Sequence, residues 1–301
     1  SPFLVELTKN GDQFEAGQLL RAERVKKYDS DENGEWKFLM WDEKAQELKM
    51  PQGTIGHRWG EQKGKWTLKL EDALDGSTIE PTLTFLNNSD AVAQVRFDNF
   101  SNGADVTRGV PVKKVKDKKG KNVFVATVYD LLMAQYGVGR GLEGDYPQTY
   151  DDAKAPYTPA WAEDYTGIGK ETLIKFAREW ASTAEHTNGK CTVIIGAGVN
   201  HWYHANLMYR AAIHALMFCG CIGNNGGGLA HYVGQEKLAP MESWASIALA
   251  KDWYPPSRLQ NAPSWHYVHS DQWRYEKSFT DYHTMPKEGP KPLPDTHTMD
   301  V

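Results

Sequence analysis

Residues 191 to 218 read CTVIIGAGVNHWYHANLMYRAAIHALMF, and this stretch decides the fold class. Cys191 to Ile195 form a short apolar run rich in β-branched residues, the pattern of a buried parallel strand. Gly196-Ala197-Gly198 closes the run as a tight turn. Residues 205 to 218 then predict a buried helix, apolar over most of its circumference, with Asn206, Arg210 and His214 four apart on one stripe. Strand, glycine turn and helix in that order make a unit of α/β parallel sheet.

Upstream, the same alternation reaches back to about Tyr129. Thr158-Pro159 pairs a capping hydroxyl with proline at a first helical position, and Gly167 is placed to end that helix. Within ETLIKFAREWAST (171 to 183), Leu173, Ile174, Ala177, Trp180 and Ala181 recur three and four apart, so a second, amphipathic helix is expected. Asn188-Gly189 breaks it before the strand. Residues 1 to 128 read instead as β-rich and loop-rich, with hairpins expected around Asp31 to Gly34, around Asp75-Gly76, and between VPVKKV (110 to 115) and NVFVATV (122 to 128). Polar hairpins of this kind are expected as an excursion from a larger body, because two strands bury too little to stand alone. Residues 252 to 301 are rich in Pro, Trp, Tyr, His and Asp and poor in periodicity, which predicts irregular structure leaning on something else. Three regions follow: 1 to 128, a β-hairpin-rich insertion; 129 to 251, an α/β cofactor-binding region; and 252 to 301, an irregular aromatic-rich segment. The fold class is α/β with a β-rich N-terminal part.

Composition narrows the classes. At 40% hydrophobic and 24% charged, the chain has ordinary globular usage, which excludes disordered and fibrous classes. A net charge of −5 gives no electrostatic reason to expect nucleic acid. The local basic run Lys113, Lys114, Lys116, Lys118, Lys119 and Lys121 reads as the solvated turn of the last hairpin. No window approaches the roughly 18 apolar residues of a membrane span. Cys191, Cys219 and Cys221 lack CxxC spacing, which argues against a disulfide framework or a cysteine-rich zinc site and favours a reducing compartment.

Two glycine clusters carry the candidate chemistry. At Gly196 and Gly198 a strand end lets backbone amides approach a phosphate, although a tight turn in any α/β protein has the same sequence; His201 stands where a third glycine would complete a dinucleotide fingerprint. The second cluster, Gly220, Gly223, Gly226, Gly227 and Gly228, runs into Ala230 to Lys237, dense in donors and acceptors. A flexible surface loop competes with a ligand-facing loop here, and the latter is favoured. Because the two clusters flank one helix, they are expected to meet at one sheet edge, with Gly196, Gly198, Asn200, His201, Gly226, Gly227, Gly228, His231, Gln235 and Lys237 as cofactor contacts. His201 and His204 are three apart but have no third ligand nearby, so no metal site and no catalytic residue is assigned.

GAGVNHWYH (196 to 204), YRAAIHALMFCGCIGNNGGG (209 to 228), AHYVGQEK (230 to 237) and SDQWRYE (270 to 276) resemble the alpha subunit of membrane-bound respiratory nitrate reductase. AGQLLRA (16 to 22), GTIGHRWGE (53 to 61), TVYDLLMAQYG (127 to 137) and YTPAWAE (157 to 163) are similar to it in the same order; Leu229 departs, standing where Trp is expected. The resemblance implies an internal fragment of a large multidomain molybdopterin oxidoreductase of the dimethyl-sulfoxide-reductase class. It implies nitrate reduction to nitrite by oxygen-atom transfer at a molybdenum bis-(molybdopterin guanine dinucleotide) centre, in anaerobic respiration. One [4Fe-4S] cluster is expected in the parent subunit, its ligands and the molybdenum ligand lying outside the fragment, so that the piece is not expected to be active alone. An iron–sulfur beta subunit and a haem-containing membrane gamma subunit are the implied partners, and the cytoplasmic face of the cell membrane the implied location, with an exported form left open.

Three alternatives stay open at the level of sequence. A nitrite oxidoreductase or a selenate or chlorate reductase would share the same segment. A free-standing nucleotide-binding domain could be built on the strand at 191 to 195, and the aromatic tail could serve a non-enzymatic interaction module.

Overall fold

The computed structural model describes residues 1–29, 34–53, 68–99 and 104–231. Two compact units divide between Phe176 and Ala177. The first unit is built on strands β1 (Leu4–Asn10), β2 (Gln13–Leu19), β3 (Met40–Asp42), β4 (Glu47–Lys49), β5 (Pro51–Gln52), β6 (Lys69–Asp72), β7 (Ala91–Phe97), β8 (Val106–Lys116) and β9 (Asn122–Thr127). β1, β2, β7, β8 and β9 close into a barrel in that order, while β3–β4 and β5–β6 form separate two-stranded sheets.

Closure gives this region a hydrophobic core of its own. A barrel leaves no open strand edges. Its strands also feed two cores at once, because successive side chains alternate between faces. In β1, Val5 and Leu7 join Val95, Val110, Val112 and Ala126 in one cluster. Leu4, on the opposite face, joins Leu20, Tyr28, Leu39, Met50, Phe85 and Val125 in another.

The hairpin around Gly120 forms as expected, with Lys113 opposite Val125 and Lys116 opposite Asn122. Asp117 fixes its turn, its Oδ1 accepting from the Lys119 and Lys121 amides at 2.9 Å each. Lys113 is the exception to the solvated run. It is buried, with its ammonium 3.1 Å from Asn88 Oδ1 and 5.1 Å from the Trp41 ring centre. At Asp75-Gly76 the chain does turn, yet β6 pairs as a strand with β5, with a shift in register between Pro51 and Gln52, and the returning segment meets it through the Glu71–Thr78 bridge and the backbone bonds from the Asp72 amide to the Ser77 carbonyl and from the Ile79 amide to the Leu70 carbonyl. Of the Asp31–Gly34 turn, Asp31 to Asn33 lie outside the described residues; the returning chain pairs Phe38 with Arg21.

Helix α1 (Val128–Gln135) starts where the expected α/β region starts, but it belongs to the barrel. Leu131 and Ala134 are part of the barrel core. Thr127 caps its first turn by accepting from the Asp130 amide at 2.9 Å. At the other end, the buried Arg108 guanidinium donates to the Ala134 and Gln135 carbonyls at 2.7 and 3.1 Å, satisfying acceptors that a helix end leaves open. Helix α2 (Pro159–Thr166) follows the predicted signals, with Thr158 accepting from the Trp161 amide and Gly167 in a left-handed conformation at φ 69°.

Helix α3 (Lys170–His186) contains the junction between the units. Asn188 and Gly189 stop it with φ of 56° and 85°. Strand β10 (Thr192–Ile195), helix α4 (Ala197–Asn200), helix α5 (Ala205–Phe218) and strand β11 (Gly228–His231) complete the described second unit. β10 and β11 pair in parallel, as the strand, turn and helix order requires.

Burial there departs from expectation. Ile194, in the middle of β10, is 81% exposed, and along α5 only Leu216 is buried. Val193 and Leu229 pack into a small core with Trp180, Ala184, Cys191, Leu216, Cys219 and Cys221, so one sheet face is covered. The opposite face, bearing Ile194, has no such cover among the described residues.

Candidate functional site

In a parallel α/β sheet the carboxyl ends of the strands, where the chain turns into the next helix, are where ligands bind. In the second unit that edge is formed by Ile195 of β10, paired with His231 of β11. α4 follows at once and brings Asn200 back over the edge. The Asn200 Nδ2 lies 3.3 Å from His231 Nε2, and the Tyr209 hydroxyl of α5 donates to Asn200 Oδ1. The Tyr209 and His231 rings are 5.8 Å apart. Three side chains from three elements thus share one polar cluster.

Gly196 and Gly198 sit beside it. Gly196 has an ordinary extended backbone at φ −117°, so nothing in its conformation requires glycine. A Cβ built at either position meets no atom within 4 Å. The missing side chains leave open space at the strand edge. His201, at the end of α4, is exposed, and the next residues Trp202 and Tyr203 are 66% and 87% exposed. His204 turns the chain into α5 in a left-handed conformation at φ 62°.

The glycine triplet goes elsewhere. Because β11 runs parallel to β10, its first residue, Gly228, pairs with Thr192 at the amino end of β10, a strand's length from Gly196. The Gly226 carbonyl accepts from Thr192 Oγ1 at 2.8 Å, and the Gly228 amide donates to the Cys191 carbonyl at 3.0 Å. At Gly227 a Cβ would stand 2.2 Å from the Gly189 carbonyl oxygen and 2.4 Å from that of Cys221. Gly226 and Gly228 have φ of 88° and 104°, a region that glycine alone enters at little cost. The triplet therefore meets its own backbone. The expected meeting of Gly226, Gly227 and Gly228 with Gly196 and Gly198 is corrected by the parallel register, while His231, farther along the same segment, does reach the Asn200 edge. Gln235 and Lys237 lie outside the described residues.

Tyr209 was not singled out by sequence, because it reads as one more aromatic on an apolar helix; its one signal is that it follows the HWYH segment by a single helical turn. Among the described residues no group of three or more His, Cys, Asp or Glu side chains is placed to hold a metal ion. The first unit has a cavity of about 380 Å³ lined by Tyr136, Tyr150, Tyr157 and Pro159 among others. None of its lining residues is a carboxylate, lysine, arginine, histidine or cysteine, so it offers no acid–base machinery beyond phenols, and burial raises the Tyr136 and Tyr157 phenols above their usual range.

No family model matches the chain. Curated relatives do. The nitrate reductase alpha chain of Bacillus subtilis (strain 168) is 44% identical over 277 residues, covering 91% of this chain and 22% of that one. The respiratory nitrate reductase 1 alpha chain of Escherichia coli (strain K12) is 44% identical over 290 residues, covering 91% and 23%. The nitrate reductase alpha subunit of Mycobacterium tuberculosis (strain ATCC 25618 / H37Rv) is 39% identical over 305 residues, covering 100% and 24%. The chain thus spans about a quarter of the length of these relatives.

Proposed function

The chain belongs to the nitrate reductase alpha-chain family, and from that kinship we propose that it is the part of a large subunit that holds one arm of a molybdenum bis-(molybdopterin guanine dinucleotide) centre. The parent enzyme would reduce nitrate to nitrite with electrons delivered through an iron–sulfur beta subunit and a haem-bearing gamma subunit. When bound, the centre supplies the two-electron oxygen-atom transfer, and the protein supplies orientation and exclusion of competing reactions.

The observation that carries the assignment is the open space at Gly196 and Gly198 beside the Asn200, Tyr209 and His231 cluster. A bulky phosphate-bearing group needs close backbone approach and neutral donors, and both are present at the carboxyl edge of the sheet. Tyr209 occupies Asn200 Oδ1 and so fixes which way the amide points. With His231 Nε2 accepting from Nδ2, the second Nδ2 hydrogen is left to offer a ligand oxygen or ring nitrogen. His201, exposed at the same edge, would add a further donor. Gly226, Gly227 and Gly228 keep a supporting role, pinning the start of β11 so that His231 arrives in register.

No metal or cluster ligand is assigned to the described residues. Asp130 in particular is fully used within the barrel. No described helix is long and apolar enough to cross a membrane, and association with the cytoplasmic face of the membrane is proposed to run through the partner subunits.

Gly198→Val in the full-length subunit is the direct test. Its Cβ has room within the chain, so a soluble, folded subunit is expected to lose at least tenfold of its molybdenum and guanine nucleotide per folded subunit, measured by metal analysis and nucleotide release. Full content in folded Gly198→Val and Asn200→Ala subunits would overturn the assignment.

A further inference from the structure

We propose that the tyrosine-walled cavity of the first unit binds a small aromatic carboxylate, a planar ring bearing one negative charge. The proposal is independent of the cofactor assignment, which concerns residues of the second unit.

The walls fit a ring. A cavity of about 380 Å³ is large enough to hold a small organic ligand. Tyr136, Tyr150 and Tyr157, together with Pro147, give it flat apolar surfaces, and the Tyr136 and Tyr157 rings meet edge to face with centres 5.0 Å apart. Aromatic walls take a further ring by offset stacking or edge contact. Tyr157 is held at φ 71°, a left-handed conformation that bulky side chains rarely adopt and that persists where the surroundings over-determine it, as ligand sites do.

Charge decides the class of ligand. Thr158, the N-cap of α2, and Pro159, its first residue, line the cavity, which sets the positive end of that helix at the wall. The first turn of α2 holds no acidic residue to offset it. Arg108, 2% exposed, lies next to the lining residue Gly137, its Nη2 3.6 Å from where a Cβ there would stand. Its Nε and Nη1 donate to the Asp145, Ala134 and Gln135 carbonyls, and among the described residues it makes no ion pair. Asp145 acts on it from a distance, its exposed carboxylate accepting from the Thr107 amide, and burial still holds Arg108 below the ordinary arginine value. A buried cation without a carboxylate partner keeps a positive potential around it, because the protein interior screens weakly. Burial also keeps the Tyr136 and Tyr157 phenols protonated, so the walls add no negative charge. Positive potential over aromatic walls selects an anion carried on a ring and disfavours ammonium ligands.

The test is calorimetric titration of the full-length alpha subunit, in its complex, with benzoate, acetate and benzylamine. Saturable benzoate binding at least tenfold tighter than either of the others is expected. Acetate binding as tightly would remove the aromatic walls from the account, and benzylamine binding as tightly would remove the positive potential. No saturable benzoate binding would mean that the cavity is filled in the whole subunit. Each of these results overturns the proposal. Val138, 44% exposed on the cavity wall, locates the site. Val138→Glu should weaken benzoate at least tenfold and strengthen benzylamine, while Val138→Gln, of the same length without the charge, should keep benzoate affinity within threefold. Unchanged benzoate affinity in folded Val138→Glu, or equal losses in both variants, would overturn the proposal. Molybdenum content is not read in any of these titrations, so the cofactor assignment and this one can fail separately.

Discussion

The Arg140 guanidinium donates to the Asp130 carboxylate at 2.8 Å, and the Asp130 side chain has no exposed surface. The same carboxylate accepts from the Phe85 amide at 2.8 Å, from the Thr84 hydroxyl at 2.5 Å and from the Thr127 hydroxyl at 3.0 Å. It ties the start of α1, the loop before β7 and the loop after α1 to one another. Removing one partner of a buried pair strands the other, so Asp130→Ala should destabilise the barrel by about 3–5 kcal/mol. A urea unfolding midpoint followed by near-ultraviolet circular dichroism checks this. Molybdenum content per folded subunit should be unchanged, and its loss from a folded variant would mean that the acid does more than brace the loops.

Gly227 and Gly198 should separate cleanly. Gly227→Ala places a Cβ 2.2 Å from the Gly189 carbonyl oxygen and 2.4 Å from that of Cys221, both backbone atoms that cannot swing aside. The second unit should then lose its fold, seen as insoluble full-length protein or a protease-sensitive site near Gly189. Gly198→Ala meets nothing and should leave solubility and protease resistance as they are. Equal damage from both would show that the open space at Gly198 is filled within the chain.

The sequence shows some of this architecture and hides the rest for identifiable reasons. α5 is legible to the residue because its 3.6-residue periodicity and flanking turns are local signals. Barrel closure is not, because it rests on a parallel contact between Phe14 and Val95, far apart in the chain. Periodicity shows which face of β10 and α5 is apolar but not what covers it, hence the expected burial that Ile194 does not have. Gly226 to Gly228 look the same in sequence whether backbone meets a ligand or another backbone. The Asn200 and His231 pairing depends on the β10–β11 register, which no stretch of sequence states.

Asp75 gives a pH-dependent prediction. The Ser77 hydroxyl and the Ser77 amide donate to Asp75 Oδ1 at 2.5 and 2.8 Å, and Lys49 Nζ lies 3.4 Å from Oδ2; together they hold its carboxyl at about 2. A carboxylate depressed in the folded state contributes stability above its unfolded value of 3.8, and that contribution is lost as pH falls from there toward about 2. Carboxyl carbon chemical shifts followed by NMR should place the Asp75 midpoint near 2. Ser77→Ala should move it upward, and a midpoint that stays put would mean that the turn does not hold the charge.

Cys191 and Cys219 are thiols whose reactivity should report folding of the second unit. Burial raises both above the ordinary thiol value of 9.0, and the neighbouring Cys221 adds to the effect. The thiolate is the nucleophile, so raised thiols react slowly at neutral pH even where a reagent can reach them. Iodoacetamide at pH 7.5 should therefore modify Cys191 at least tenfold more slowly in the native protein than in urea. An acid whose folded value is raised contributes stability below its unfolded value, and that contribution is lost as pH climbs past it. Resistance of Cys191 to alkylation should accordingly weaken as pH rises above 9.0, beyond the gain from thiolate fraction seen in unfolded chain. Rapid modification at pH 7.5 in a folded protein would show that the small core of Trp180, Ala184 and Leu216 does not enclose the thiol.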